Sequence, residues 1–469
     1  MIKFGTGGWR AFIGEDFTKA NVQTLSQALA EVIKSEKKVK HEFVIGYDRR
    51  FLSDKAAKWM SEVLAANGIT VLFIGKIAPT PVVMFSVQLH ETKYGAAITA
   101  SHNPADYNGI KIFTEGGRDA TEEVTTRIES AVQNVEEIRS IDFEQGVNSG
   151  LIRYIDPFNI YIDTIISMIN IDAIRDKNLK ILLDPMYGVS KTCLQTILIT
   201  ARCDLDVIND RHDTLFGGRL PSPCAETLHH LRDAVVEKGY NLGIGTDGDA
   251  DRLGIIDQSG EFIHPNNILV LLYYYLLKYK GWKGSAVRNL ATTHMLDKIA
   301  QDFGEICHEV PVGFKHISSK MEESNAVIGG ESSGGLTIKG HIKGKDGIFA
   351  ASLLVEMLCI TGKSLTELLD EIYGRYGRLY VIERESKFDK ETKAKLIRLL
   401  FEDKLLPEFT FDIEKVSYID GVKVYFKNGG WIVTRFSGTE PLLRIITEMK
   451  SVEAAEKVSG EMLSFLNLT

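Results

Sequence analysis

Residues 43–74, FVIGYDRRFLSDKAAKWMSEVLAANGITVLFI, hold one strand–turn–helix–strand unit, and the rest of the chain repeats it. Phe43-Val44-Ile45-Gly46 is a short β-branched run, and Asp48-Arg49-Arg50 turns the chain. Ala57, Met60, Leu64 and Ala65 then recur at helical spacing before Val71-Leu72-Phe73-Ile74 reads as the next strand. Lys180-Ile181-Leu182-Leu183-Asp184 leads in the same way through Pro185 and Gly188 into a helix near 192–199, and Asn325-Ala326-Val327-Ile328-Gly329 reads as a further strand. Such alternation predicts mainly parallel α/β layers, with ligand-binding loops at the carboxyl ends of strands.

The pattern changes beyond about Lys363. Val381–Glu385, Val416–Ile419, Val422–Phe426 and Trp431–Arg435 read as short strands, with tight turns at Asp420-Gly421 and Asn428-Gly429. A smaller α+β domain therefore closes the chain. With 469 residues, several domains are needed, and the boundaries are placed to give 1–150, 151–256, 257–372 and 373–469.

A formal net charge of -8 leaves no basic surplus to displace counterions from nucleic acid. A locally basic cleft for a phosphorylated small molecule remains compatible with it. The longest apolar run, Ile268–Leu277, suits a buried helix and is too short to span a bilayer. No secretory leader pattern opens the sequence. Cys193, Cys203, Cys224, Cys307 and Cys359 are scattered and odd in number, which fits free thiols in a reducing cytoplasm.

Four segments carry chemistry. Thr99-Ala100-Ser101-His102-Asn103-Pro104 follows a strand at Gly95–Ile98, and Asn-Pro forces a turn that presents Ser101 at the strand end. Taken alone, a plain strand-to-loop turn is the favoured reading, and adjacency of serine and histidine does not make a hydrolase triad. In Asp247-Gly248-Asp249-Ala250-Asp251-Arg252 three carboxylates share one side if the segment is extended. Their mutual repulsion needs a cation, and hard oxygen ligands favour magnesium or calcium. An EF-hand fails, because Arg252 and Gln258 stand where its glycine and glutamate belong. The G-x-G-x-x-G of residues 243–248 is a decoy, because an acidic loop and a strand follow it instead of a helix. Gly329-Gly330-Glu331-Ser332-Ser333-Gly334-Gly335 could offer Glu331 and Ser333 to sugar hydroxyls, although a flexible Gly-Ser loop is the simpler reading of it alone. Arg435-Phe436-Ser437-Gly438-Thr439-Glu440-Pro441, with Arg444, offers guanidinium forks, hydroxyls and backbone N–H groups to a phosphate.

Together with Phe4-Gly5-Thr6-Gly7-Gly8-Trp9-Arg10, these segments in this order resemble the α-D-phosphohexomutase family over essentially the whole chain. The resemblance implies three related α/β domains with mixed sheets and a smaller C-terminal domain around a central cleft. It implies a phosphoserine at Ser101, and Mg2+ held by Asp247, Asp249, Asp251 and an oxygen of that phosphoserine. Lys111, His102 and Arg10 would serve catalysis, Lys111 with its pKa lowered by neighbouring cations and burial if it is to act as a base. Arg252 would lie beside the metal loop, Glu331 and Ser333 would read the sugar, and Arg435, Ser437, Gly438, Thr439 and Arg444 would hold the phosphate not being transferred. Gly313 and Lys315, in Gly-Phe-Lys, and Lys345, in Lys-Asp-Gly, look like phosphoglucomutase segments. Where mannose/glucose and glucosamine enzymes carry a histidine after the sugar loop, this chain has Gly335, and His341 or Lys345 is the expected substitute. The implied reaction interconverts hexose 1- and 6-phosphates, glucose first and mannose second, with glucosamine behind them and glucose 1,6-bisphosphate or another hexose 1,6-bisphosphate as intermediate and activator. The enzyme would work in the cytoplasm as a monomer or homodimer, without nucleic acid or membrane. A magnesium-dependent phosphatase and a catalytically silent binding protein are the competing readings.

Overall fold

Strand-forming runs bounded by glycine and asparagine turns assemble into four sheets, one per domain, in the computed structural model, which describes residues 2–5, 7–36, 41–436 and 442–468. In the first sheet Tyr94–Ile98, Glu42–Tyr47, Thr70–Ile74 and Ile152–Ile155 run parallel, in the order given. Tyr107–Thr114 is antiparallel to Tyr94–Ile98, and Trp9–Phe12 lies beyond it. This sheet thus takes a strand from beyond residue 150. The opening unit folds as read, with a helix at Ser53–Ala66 between its two strands.

The second sheet orders Phe262–Ile263, Leu253–Asp257, Leu242–Thr246, Lys180–Asp184 and Asp204–Val207. The third orders Cys307–Val310, Ala286–Asn289, Ile328–Gly330 and Leu336–Ile338. Both are mixed, with parallel cores and an antiparallel edge hairpin. The fourth, Tyr380–Lys387, Leu442–Met449, Trp431–Phe436, Val422–Phe426 and Ile413–Ser417, is antiparallel throughout. Three α/β domains and a C-terminal α+β domain are therefore present. Gly429, at φ +87°, makes the expected hairpin between Val422–Phe426 and Trp431–Phe436.

Asn325 departs from the strand reading. It caps the helix Phe314–Ser324 at φ 54°, a left-handed geometry that asparagine tolerates, and the strand starts only at Ile328. The apolar run Ile268–Leu277 lies within the buried helix Pro265–Lys278. Among the described residues no single helix is long and apolar enough to cross a membrane. One apolar core runs through the first three domains, from Val44 to Ile372, while the C-terminal domain keeps a core of its own around Val422, Ile432 and Met462.

Candidate active site

The strand Tyr94–Ile98 ends in a turn that holds Ser101 at φ 54°, a left-handed conformation that costs a non-glycine residue energy and must be enforced by its surroundings. The enforcement comes mainly from Arg50, which the sequence reading passed over. Its Nη2 donates to Ser101 O at 2.7 Å and Asn103 O at 2.6 Å, and its Nη1 to Pro104 O at 2.7 Å and Tyr107 O at 3.0 Å. Asp48 supports the arrangement, accepting from Arg50 N and Ser53 Oγ, and bonding the Thr99 side chain. Thr99 Oγ1 in turn accepts from Ser101 N at 2.8 Å. Both Asp48 and Arg50 are buried.

Ser101 is buried and its Oγ donates to Asp247 Oδ2 at 2.7 Å, so the serine loop of the first domain meets the acidic loop of the second. The acidic segment is a turn and not the extended run expected. Ala250 adopts φ 64°, and the chain folds over itself so that Asp247, Asp249 and Asp251 converge with ligand atoms within 4.8 Å of one another. Like Ser101, Ala250 pays for this left-handed backbone, and a β-branched or bulky residue would resist it further.

All three carboxylates are buried. Burial, Asp249 and Asp251 push Asp247 well above the usual carboxylate range. Burial and Asp251 also disfavour charge on Asp249, but Lys111 outweighs them and its carboxyl ends below the usual value. Asp251 is held well below it, since Lys111, Lys345 and Arg252 overcome its burial. Lys111 Nζ bridges Asp249 and Asp251 at 2.6 Å each, Lys345 Nζ lies 3.0 Å from Asp251, and Thr80 Oγ1 donates to Asp249 at 2.6 Å. Asp249 Oδ1 and Asp251 Oδ1 are buried without a hydrogen-bond partner. Two orphaned carboxylate oxygens beside a serine hydroxyl, in a set of hard oxygen donors, fit a divalent cation.

Burial lowers the Lys111 pKa, but Asp249 and Asp251 more than reverse it, so the ammonium is raised above its ordinary value, which suits an electrostatic role. His102 moves the other way: Arg252 first, then burial and Arg10, drive it well below its ordinary value. Its Nδ1 is 3.4 Å from Ser101 Oγ. Arg10 donates to Asn103 Oδ1 at 2.7 Å and is brought down to about 10, by burial and by Arg252, which leaves it charged.

The other candidate loops reach this centre through backbone contacts. Arg252 forms an antiparallel bridge with Gly335, and Leu253 N donates to Gly334 O, joining acidic loop to sugar loop. Gly347 N donates to Ala250 O. Glu331 Oε1 accepts from Asn289 Nδ2 and from Gly313 N, both at 3.1 Å. Ser333 is exposed on the same loop, and Lys315 Nζ pairs with Glu122 at 3.2 Å.

A β-carbon at Gly335 would fall 2.3 Å from Lys345 Cδ, so the Lys345 side chain fills the space a residue there would need. His341 has a different place. Its Nε2 is 2.7 Å from Asp346 Oδ2, and its ring lies among Phe85, Tyr161 and Phe349, a core position that removes it as the substitute for the missing histidine. Tyr161 OH donates to the same Asp346 oxygen, which ties His341 into the core.

Arg435 and Arg444 stand directly opposite each other on neighbouring strands, hence on one face of the C-terminal sheet. Their like charges are offset separately, Arg435 Nε by Asp420 at 2.8 Å and Arg444 Nε by Glu385 at 2.8 Å. Asp420 also accepts from Val312 N at 2.9 Å, which places Arg435 near the Gly313 loop. Ser437, Gly438 and Thr439 lie outside the described residues.

Comparison with known proteins agrees with this geometry. Models of the phosphoglucomutase/phosphomannomutase α/β/α domains I, II and III match residues 1–139, 159–260 and 264–376, and the model of the C-terminal domain matches 387–464. A phosphoglucomutase/phosphomannomutase of Thermococcus kodakarensis is 30% identical over 97% of this chain and 96% of its own. A probable phosphoglucosamine mutase of Methanobrevibacter smithii is 31% identical over 97% and 96%. The crystal structure of a phosphomannomutase-like protein from Thermus thermophilus superposes with a TM-score of 0.86 at 29% identity, covering 99% of both chains. With all four domains matched in order, the chain belongs to the phosphoglucomutase/phosphomannomutase family and is an isomerase of the phosphohexomutase type.

Proposed function

We propose that this enzyme interconverts hexose 1-phosphate and hexose 6-phosphate through phosphorylated Ser101 and a hexose 1,6-bisphosphate, with glucose phosphate preferred. The observation that carries the reading is Ser101 Oγ bonded to the acidic turn while held in a left-handed backbone by Arg50. In the forward step the bond from Ser101 Oγ to phosphorus breaks as a sugar hydroxyl oxygen bonds to phosphorus; the hydroxyl gives up its proton, and Ser101 Oγ takes one up to return as a hydroxyl. Bisphosphate reorientation and the reverse transfer complete the isomerisation.

Mg2+ held by Asp247, Asp249, Asp251 and a serine phosphate oxygen would neutralise charge on the transferring group. The chain's own groups divide the remaining work. Lys111 contributes positive charge, and His102, with Nδ1 3.4 Å from Ser101 Oγ, lies beside the oxygen whose protonation changes in the step. Glu331 and Ser333 read sugar hydroxyls, with Gly313 and Lys315 beside them. Arg435, with Ser437, Gly438, Thr439 and Arg444, anchors the resting phosphate. Lys345, packed over Gly335 and paired with Asp251, stands where the mannose/glucose and glucosamine enzymes carry a histidine, and that difference supports the glucose preference.

Glucosamine phosphate is the second reading. Several curated relatives carry that name, and Asp119 is a carboxyl close enough to Lys345 and Glu331 to feel both charges. Purified protein assayed on glucose, mannose and glucosamine 1-phosphates side by side, with phosphopeptide mapping at Ser101, tests the proposal. Highest kcat/KM on glucosamine 1-phosphate would replace the glucose preference, and full turnover by Ser101→Ala would discard the phosphoserine.

A further inference from the structure

The turn between Ile413–Ser417 and Val422–Phe426 carries Asp420, whose two oxygens serve two domains. Oδ1 accepts from Arg435 Nε at 2.8 Å within the C-terminal domain, and Oδ2 accepts from Val312 N at 2.9 Å in the third. The next peptide N–H along, that of Gly313, donates to Glu331 Oε1 at 3.1 Å. Two successive backbone N–H groups are therefore divided between the counter-ion of Arg435 and the carboxylate assigned to the sugar. Gly421 fixes the other side of the contact. It adopts φ +91°, and a β-carbon there would lie 2.6 Å from Thr434 O and 3.1 Å from Arg435 Cβ, so the turn presses directly on the strand that bears the arginine.

From this juxtaposition we propose that Asp420 is a positioning residue, which sets the guanidinium of Arg435 at a fixed separation from Glu331 and so matches the cleft to the length of a hexose phosphate. The inference rests on the mutase reading, in which Arg435 anchors the resting phosphate. A surface ion pair of two mobile side chains does little. This one differs because its carboxylate is also bonded to main chain across a domain boundary and its turn packs closely against the strand that bears Arg435. Nε is taken by Asp420, which orients the guanidinium plane and hence the terminal nitrogens used in bidentate recognition of phosphate.

The test is a double-mutant cycle on glucose 1-phosphate turnover with wild type, Asp420→Asn, Arg435→Ala and the double variant. Asparagine keeps one acceptor oxygen, so either Arg435 or Val312 loses its partner. Asp420→Asn should raise KM about tenfold, the scale of one charged hydrogen bond, with kcat within about threefold. In the Arg435→Ala background the same change should move KM less than about twofold, because the residue acts through Arg435. Asp420→Glu, which retains both acceptors, should recover part of the loss, and amide exchange across residues 310–314 should quicken in Asp420→Asn. A KM within twofold of wild type, or a tenfold effect that persists without Arg435, overturns the proposal. An Arg435→Ala variant of unchanged KM overturns it together with the anchor. Should wild type turn over no hexose phosphate, the mutase reading fails. Asp420 is then still decided by the exchange data and by calorimetric affinity for glucose 6-phosphate across the same variants: a tenfold weakening supports it and equal affinities overturn it.

Discussion

Replacing Arg50 by lysine separates charge from shape at the serine loop. The substitution keeps a cation in the same buried place, but an ammonium donates from one atom in a tetrahedral spread. The guanidinium here donates from two nitrogens to four carbonyl oxygens, those of Ser101, Asn103, Pro104 and Tyr107, at 2.6–3.0 Å. Lysine offers only three N–H donors from that one atom, so we expect about two of these carbonyls to lose their donor, at about 1–3 kcal/mol each. The sum exceeds what a single left-handed residue such as Ser101 needs to relax, typically about 1–3 kcal/mol. Ser101 Oγ should then leave its 2.7 Å contact with Asp247, and a displacement of about 1 Å from a reacting position costs about a hundredfold in rate. Arg50→Lys should therefore lower kcat about a hundredfold in a coupled steady-state mutase assay. KM should stay within about threefold, because Arg435 and the Glu331 loop are untouched. Calorimetry should show a melting temperature lower by only a few degrees, the scale of a few kcal/mol in a chain of this size. A kcat within threefold of wild type would refute the reasoning, since it would show that the serine keeps its place without the guanidinium fork.

Three further outcomes concern the Gly335 position, the aspartate turn and a buried lysine of the C-terminal domain. Gly335→His should lower kcat/KM at least about tenfold, because its side chain must displace Lys345 from Asp251, and Lys345→Ala in the same chain should restore part of the loss; an unaffected single variant would show that the two positions do not compete. Chelation should abolish turnover, and Mg2+ at about a hundred times its dissociation constant should stabilise the fold by about 2.7 kcal/mol, read as a rise in melting temperature; a melting temperature indifferent to Mg2+ counts against the aspartate turn as its site. Burial and Arg288 bring Lys423 down to about 7 from 10.5, so the unfolded chain binds more protons across that interval and stability should rise with pH from about 7 towards 10.5. Denaturation midpoints at pH 7 and pH 9.5 measure that rise, and Lys423→Met should flatten it.

Ser101 and the aspartates were legible because each sits in a short contiguous motif whose chemistry is local. What the sequence could not announce were partners joined only by folding. Arg50 lies fifty-one residues from the serine it holds, and Thr80 lies one hundred and sixty-nine from Asp249. Asp48-Arg49-Arg50 did stand at the end of a strand, the position where functional residues gather in parallel α/β layers, and that was the available signal. The direction of the Lys111 shift was not legible, because it depends on how close two carboxylates approach it, a quantity that composition does not contain. His341 looked in sequence like a substitute for the histidine absent at Gly335, while Phe85 and Tyr161, from distant helices, turned it into core. The strands and the Asn428-Gly429 hairpin were readable for the opposite reason, since apolar alternation and turn chemistry are properties of adjacent residues.

The unequal division of apolar packing has a mechanical consequence. Because a single body of buried side chains runs from Val44 to Ile372, the serine turn, the aspartate turn and the sugar loop are bolted to one chassis and should be lost in the same cooperative melting step. The C-terminal domain keeps a separate interior and meets that chassis across a seam of Leu290, Ala291, Tyr425, Trp431, Val433 and Ile446, braced by Lys423 Nζ donating to Glu309 and to Leu290 O, so it should melt as a second unit.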